Sequence, residues 1–394
     1  PTYDEAAHKL RELLREAVRE RLAADVPVGA FLSGGYDSSL ITAIAKEVSG
    51  QPVRTFSIGF HEEAYNEAKY AKEVAEYLGC DHRELYVDEA DMLSMVESIP
   101  LYYDEPFADS SQIPSMLVSK LARQEVTVVL SGDGGDELFC GYSIYERVRQ
   151  AQRLDGVGAL AKTVGDAFGV TEKYPFKVRA IAGNRNKETK TQLVNENCRK
   201  AALEMVLQSP EGEALPCTYD RESTYRERNW QIRRMLLDME TYLPEDILCK
   251  VDRASMMVSL EARCPILDKN VIEYALGLPH VFKYHNGEKK RILKRLAYEY
   301  IPRPLLDRPK KGFSVPLDGW LRGPLREQLL SFSEKEYLER QGIFHPVYTT
   351  EFVRRYMEKG DGGAGSGENY SRLLWAYLMF QKWNEYWKKE WKQV

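Results

Sequence analysis

The chain has 394 residues, enough for two or three domains of ordinary size. It is 43 % hydrophobic and 29 % charged, a balance that excludes a disordered or fibrous protein. The net charge of −5, from 55 basic and 60 acidic residues, argues against a general nucleic-acid binder, and no apolar run reaches the ~18 residues of a membrane span.

The first element is a helix. Thr2 and Glu5 have the spacing of a capping box, and Leu10, Leu14, Val18 and Leu22 recur every four residues behind it. Val28 to Leu32 is a short apolar strand that stops at Ser33-Gly34-Gly35, and Leu40 to Val48 follows as a helix. Val53 to Phe60 is β-rich, Glu67 to Leu78 is helical up to Gly79, and Glu84 to Val87 is a short strand. Helices follow at Ala90 to Ile99 and Ser115 to Arg123. The strand Val126 to Leu130 then ends in Ser131-Gly132-Asp133-Gly134-Gly135-Asp136-Glu137. Strands alternating with helices at this spacing predict an α/β fold, a parallel sheet flanked by helices on both faces. After about Tyr145 the strand signal fades and helical patterns dominate, including the aromatic-rich stretch Asn369 to Trp391. Residues 1–25 read as an N-terminal helix, 26–145 as the α/β core, and 146–394 as a mostly helical part. The GDGGAGSG stretch from Gly360 to Gly367 reads as a flexible loop, natural or inserted.

Six cysteines are dispersed, with no C-x-x-C pair, and the six histidines are scattered. That argues against a zinc ribbon and a thioredoxin-like site, and favours plain thiols in a reducing compartment.

The two glycine turns carry the chemistry. In Ser33-Gly34-Gly35-Tyr36-Asp37-Ser38-Ser39, glycines let the backbone approach a ligand, and N–H groups at the following helix start point at an anion. The serines add hydroxyl donors. It is not a Walker A loop, because the G-K-[ST] ending is missing. Asp37 would repel phosphate unless Mg²⁺ lay between them. A plain tight turn is the alternative. The second turn crowds Asp133, Asp136 and Glu137 into five residues, which costs repulsion unless a cation or a reaction needs them. A solvated acidic loop is its alternative. In an open α/β sheet, ligands bind outside the carboxyl ends of the strands, so both turns belong on one edge.

The SGG-x-DS turn resembles that of the ATP pyrophosphatase, or PP-loop, superfamily, whose fold is adenine nucleotide alpha hydrolase-like. More narrowly, the chain resembles the synthetase domain of glutamine-dependent asparagine synthetases. The segments VPVGAFLSGGYDSS, FSIGF, YYDEPFADSSQIP, LSGDGGDELF, LPEDILCKVDRASM, LEARCPILD and RPKKGFSVPL carry it, in family order, from about residue 24 to 320.

The resemblance implies that Ser33, Gly34, Gly35, Asp37, Ser38 and Ser39 bind the phosphates of ATP. It implies that Asp37 and Asp136 hold Mg²⁺, and that Leu32, Ile58, Ser131 and Gly132 lie near the adenosine. Asp133 then stands near the reacting centre, where some members have Glu, and Glu137 beside incoming ammonia or the acceptor. Lys310 would contact the α-phosphate and its developing charge, with Asp252 orienting it and Asp104 a further active-site acid. Read without the resemblance, Lys310 is one more surface lysine beside Lys311. The basic run Lys289, Lys290, Arg291, Lys294 and Arg295 reads as a solvated helix face. Cys140 stands where the family more often has glycine, Cys264 replaces a common aliphatic residue, and both read as packing cysteines.

The expected activity is ATP-dependent amidation of a small-molecule carboxylate, aspartate first, through an acyl-adenylate attacked by ammonia. A different acceptor stays open: a sugar uronate, a β-lactam precursor or a peptide side chain. So do a tRNA-modifying PP-loop enzyme and a non-catalytic scaffold. The chain opens at Pro1 and no part of it resembles a glutaminase domain, so the expectation is a fragment or processed chain with a glutaminase domain or chain as its partner. The expected location is cytoplasmic, with no nucleic-acid or membrane partner, and a homodimer stays open.

Overall fold

The computed structural model describes residues 1–60, 67–153, 205, 227–308, 315–359 and 370–391. The chain divides into two compact units. The first comprises residues 1–94, 111–194 and 218–313, and the second residues 95–110, 195–217 and 314–394.

The first unit is built on a five-stranded sheet in the order β3-β2-β1-β4-β5, and every pairing is parallel. The strands are β1 (Val28–Phe31), β2 (Arg54–Phe60), β3 (Asp81–Val87), β4 (Val128–Leu130) and β5 (Glu261–Arg263). β2 is buried from its second residue onward and β4 throughout, as expected of strands covered on both faces. β3 starts three residues before the expected Glu84, because His82 is accepted into the sheet. Its ring nitrogens meet the Thr55 and Ser57 hydroxyls of β2 at 2.8 and 3.2 Å. β5 was not anticipated at all. A Glu-Ala-Arg edge strand has no apolar pattern to announce it, and its place is fixed by pairing with β4.

Helix α1 (Tyr3–Leu22) has the expected capping box, with Thr2 and Glu5 bonded reciprocally at 2.8 and 3.3 Å. Its stripe Leu10, Leu14 and Val18 is fully buried, in one core with α2 (Tyr36–Ser49), α3 (Ala68–Leu78) and the helices Lys269–Gly277 and Arg291–Tyr300. The helix Gln112–Arg123 packs on β2 and on the helix Cys249–Met256, which also meets β5. The α2 helix begins at Tyr36, four residues earlier than the apolar pattern suggests. Asp37, Ser38 and Ser39 therefore form its first turn. The sheet order makes the gap between β1 and β4 the place where crossovers change direction, a crevice that favours ligands at the strands' carboxyl ends.

The second unit is helical among its described residues. Its longest helix is Tyr370–Trp391, and Trp320 and Trp375 lie in its core with ring centroids 6.3 Å apart. Buried Lys382 bonds Glu97 and Gln328 at 2.7 and 2.8 Å.

Candidate active site

Both glycine turns open at the carboxyl ends of β1 and β4, on either side of that crevice. They also touch. A Cβ at Gly132 would stand 2.7 Å from the Ser38 nitrogen, and one at Gly135 would stand 2.6 Å from the Asp37 carboxyl carbon. Bare glycines are what allow this approach.

The first turn is ordered by its serines. Ser33 and Ser38 hydroxyls are 3.0 Å apart, the Gly35 N–H donates to Ser33 Oγ, and the Ser33 N–H donates to Ser38 Oγ. Gly34 has a left-handed φ of 68° and is wedged against the backbone of Tyr70 and Ala71. Ser39 is fully buried, and its hydroxyl oxygen has no hydrogen-bond partner among the described residues. Arg308 donates to the Gly34 carbonyl oxygen and stacks on Tyr70 with its guanidinium carbon 3.9 Å from the ring centroid. Tyr36 donates to Asp307, which also accepts from Tyr298. Lys294 lies over the Tyr36 ring at 4.9 Å.

In the second turn, the Ser131 hydroxyl donates to Asp133 Oδ2. Asp136 and Glu137 sit in a short helical turn, Gly135–Leu138. Glu137 is 1 % exposed and accepts from the Tyr142 hydroxyl at 2.7 Å. Burial, reinforced by the Asp136 charge, pushes its carboxyl up to about 7, against the pull of Tyr142 and Lys290.

The feature that joins the turns is Lys290. Its Nζ bonds Asp37 Oδ2 and lies 2.7 Å from Asp136 Oδ1, so one ammonium bridges an acid from each turn. The residue is 7 % exposed. Burial alone would lower its pKa, but the two carboxylates reverse that and raise it above the ordinary lysine value. This corrects the reading of Lys290 as part of a solvated face. Lys290 precedes the helix Arg291–Tyr300 and takes a left-handed φ of 53°, so it leaves the face that Arg291 and Arg295 share. Gly141 makes room for it, since a Cβ there would collide with both Asp136 and Lys290. Arg295 is exposed, as expected, and Lys294 only half so.

Around this bridge lies a cleft of about 240 Å³. Its walls include Ser33 to Ser38 together with Glu67, Asp136, Lys289, Lys290, Lys294 and Arg308. Its cationic rim and hydroxyl floor suit phosphate oxygens. Asp37 and Asp136 are the carboxylates whose oxygens would be offered to a divalent cation there. No cluster of three or more His, Cys, Asp or Glu side chains suited to a metal occurs among the described residues. Two carboxylates with the remaining positions left to phosphates and water is the way Mg²⁺ is commonly bound beside a nucleotide, so the donor set fits.

The remaining predicted residues are placed as follows. Leu32 and Ile58 are 1 % and 2 % exposed near the ends of β1 and β2, and Ser131 is buried at the end of β4. Asp252, on the helix Cys249–Met256, has a side chain 60 % exposed and pairs with Arg253 at 3.3 Å. Asp104 belongs to the second unit. Lys310 and Gly360 to Gly367 lie outside the described residues. Lys290, Arg308 and the Tyr36–Asp307 pair were missed. The glycine at 141 was the available sign that a neighbouring side chain needed space. Cys140 has a left-handed φ of 60°, a conformation that favours glycine.

A profile of the asparagine synthase family matches residues 9–385. The chain belongs to the asparagine synthase family. It is 30 % identical over 390 residues to the glutamine-hydrolyzing asparagine synthetase 1 of Bacillus subtilis (strain 168), covering 97 % of this chain and 59 % of that protein. A putative glutamine-hydrolyzing asparagine synthetase of Mycobacterium bovis is 32 % identical over 389 residues, covering 97 % and 57 %. The amidase chyE of Penicillium rubens is 25 % identical over 409 residues, covering 91 % and 59 %. The chain thus spans less than two thirds of the length of these curated relatives. None of the described helices is long and apolar enough to cross a membrane.

Proposed function

We propose that this chain is an ATP-dependent carbon–nitrogen ligase that converts the side-chain carboxylate of aspartate to an amide. The observation that carries the proposal is the convergence of Asp37 and Asp136, one from each glycine turn, on the ammonium of Lys290. The family match and the likeness to the two asparagine synthetases support aspartate as the acceptor. The fungal amidase is the reason to keep another carboxylate as the second reading.

In this reading Ser33, Ser38 and the N–H groups at the start of α2 bind the phosphates, with Lys289, Lys294 and Arg308 balancing their charge. Asp37 and Asp136 hold Mg²⁺, which when bound neutralises phosphate oxygens and favours departure of pyrophosphate. Lys310 stabilises the charge that builds on the α-phosphate as the carboxylate attacks, and Asp252 orients it. Leu32, Ile58, Ser131 and Gly132 border the adenosine, and Asp133 lies by the reacting groups. The acyl-adenylate is needed because a carboxylate is a poor electrophile. Ammonia then attacks the acyl carbon and AMP leaves. Glu137, with a carboxyl held near neutrality, is suited to accept the proton that the nitrogen loses. A glutaminase domain or chain supplies the ammonia when glutamine is the nitrogen source.

The test is stoichiometry. Purified protein with MgATP, aspartate and ammonium should yield AMP, pyrophosphate and asparagine in equal amounts. Formation of ADP and phosphate, or amidation of a different acid with aspartate inert, refutes the assignment.

A further inference from the structure

We infer that the Lys290 ammonium holds the place of the divalent cation between Asp37 and Asp136, and that incoming phosphates must draw it off before the metal can bind. The inference rests on the metal assignment above, and adds a condition to it: the metal binds only once phosphates have reached the cleft.

Three observations carry it. First, Nζ already bonds the two carboxylates that offer the metal its oxygens, at 2.7 Å for Asp136. Mg²⁺ needs such oxygens at ~2.0–2.1 Å, and two cations crowded onto one acid pair repel strongly in a partly dry site. Secondly, the three side chains are only 8, 13 and 15 % exposed for Lys290, Asp37 and Asp136. An ammonium displaced there without a new acceptor would be a buried unpaired charge. The rest of the cleft offers Lys289, Lys294 and Arg308, with Glu67 its one further acid among the described lining residues. Apart from Glu67 the new acceptor has to arrive with the ligand, and phosphate oxygens have the right chemistry. Thirdly, the protein supplies two carboxylates and no third ligand of that kind among the described residues, so a metal alone is poorly held.

The Lys290 backbone is anchored, its N–H donating to the Phe139 carbonyl at 3.2 Å. Only the side chain has to swing. Metal-free protein is thereby spared two facing bare carboxylates, and the pair stays in place for the next nucleotide. Because the same ammonium opposes metal and favours phosphate, the two ligands are coupled and each should strengthen the other's binding.

The probe is Mn²⁺, titrated against protein by electron paramagnetic resonance of the free ion, with no nucleotide present. Lys290→Met should bind Mn²⁺ at least tenfold more tightly than the wild type, and adding Asp136→Asn should remove that gain. Lys290→Gln, which keeps a hydrogen-bonding head without charge, serves as the second variant should Lys290→Met not fold. Equal or weaker Mn²⁺ binding by a folded, uncharged variant overturns the inference. On the wild type itself, Mn²⁺ alone should leave the melting temperature unchanged, while Mn²⁺ with α,β-methylene-ATP should raise it. An equal rise with Mn²⁺ alone overturns the inference too. None of these readouts involves turnover. If aspartate is not amidated but Mn²⁺ behaves as stated, the acceptor assignment fails and the Lys290 inference stands. If aspartate is amidated and the variants bind Mn²⁺ like the wild type, the reverse holds.

Discussion

Replacing Gly132 by alanine probes the contact between the two turns. Gly132 is not among the residues with positive φ, so alanine fits its backbone and the cost comes from contact alone. The new Cβ would stand 2.7 Å from the Ser38 nitrogen, 3.0 Å from the Asp37 carbonyl carbon and 3.1 Å from Asp37 Cβ. All three belong to the first turn of α2, and two are backbone atoms without a rotamer to escape into. The turns must separate by several tenths of an ångström, and overpacking of this kind costs about 1–3 kcal/mol. The same shift moves Asp37 and Ser38 relative to Asp136, and a misplacement approaching 1 Å costs on the order of 100-fold in rate. Gly132→Ala should therefore lower the urea midpoint and reduce aspartate-dependent ATP–pyrophosphate exchange by about 10- to 100-fold. Gly50→Ala is the control. Its φ of 65° is left-handed but nothing lies within 4 Å, so it should cost about 1–2 kcal/mol and leave exchange per folded molecule intact. Wild-type stability and exchange in Gly132→Ala, or equal loss of exchange in Gly50→Ala, would refute the reasoning.

Glu137 gives a pH prediction. Its folded pKa of about 7 lies above the ordinary 4.5, so the folded protein holds this proton more tightly than the unfolded chain does. The resulting stability is complete below about pH 4.5 and is lost as the pH rises through 7. Between pH 5 and 8 the nucleotide-free wild type should lose about 2–3 kcal/mol relative to Glu137→Gln, read from urea unfolding at both pH values; a difference independent of pH contradicts the burial argument. Tyr36→Phe removes one of two phenol donors to Asp307 and should cost about 1 kcal/mol, with exchange changed less than threefold. A tenfold loss of exchange in that variant would give Tyr36 a part in the reaction.

The sheet and the two turns were legible because their signals are local. Apolar β1, β2 and β4 each stand out from their neighbours, and a glycine cluster after a strand marks the ligand edge. β5 and the start of β3 were hidden for the opposite reason. Glu261–Arg263 and Asp81–Arg83 are polar segments that become strands through pairing and edge ion pairs, such as Arg83 with Glu125 at 2.6 Å. Lys290 was misread because periodicity assigns a face only to residues inside a helix. One residue before the helix, a left-handed backbone turned its side chain toward acids 253 and 154 positions away. No pattern within the sequence measures such a distance. Asp37 and Asp136 were paired in advance by the family resemblance, and only the placing of their two turns on one sheet edge came from the strand pattern.

The central claim is that this site adenylates aspartate, and ATP–pyrophosphate exchange tests it most directly. With Mg²⁺ present and ammonia absent, labelled pyrophosphate should enter ATP when aspartate is added, and the signal should vanish in Asp37→Asn and Lys310→Ala. Exchange that depends on a uronate or another carboxylic acid but not on aspartate, or that persists in both variants, would contradict it.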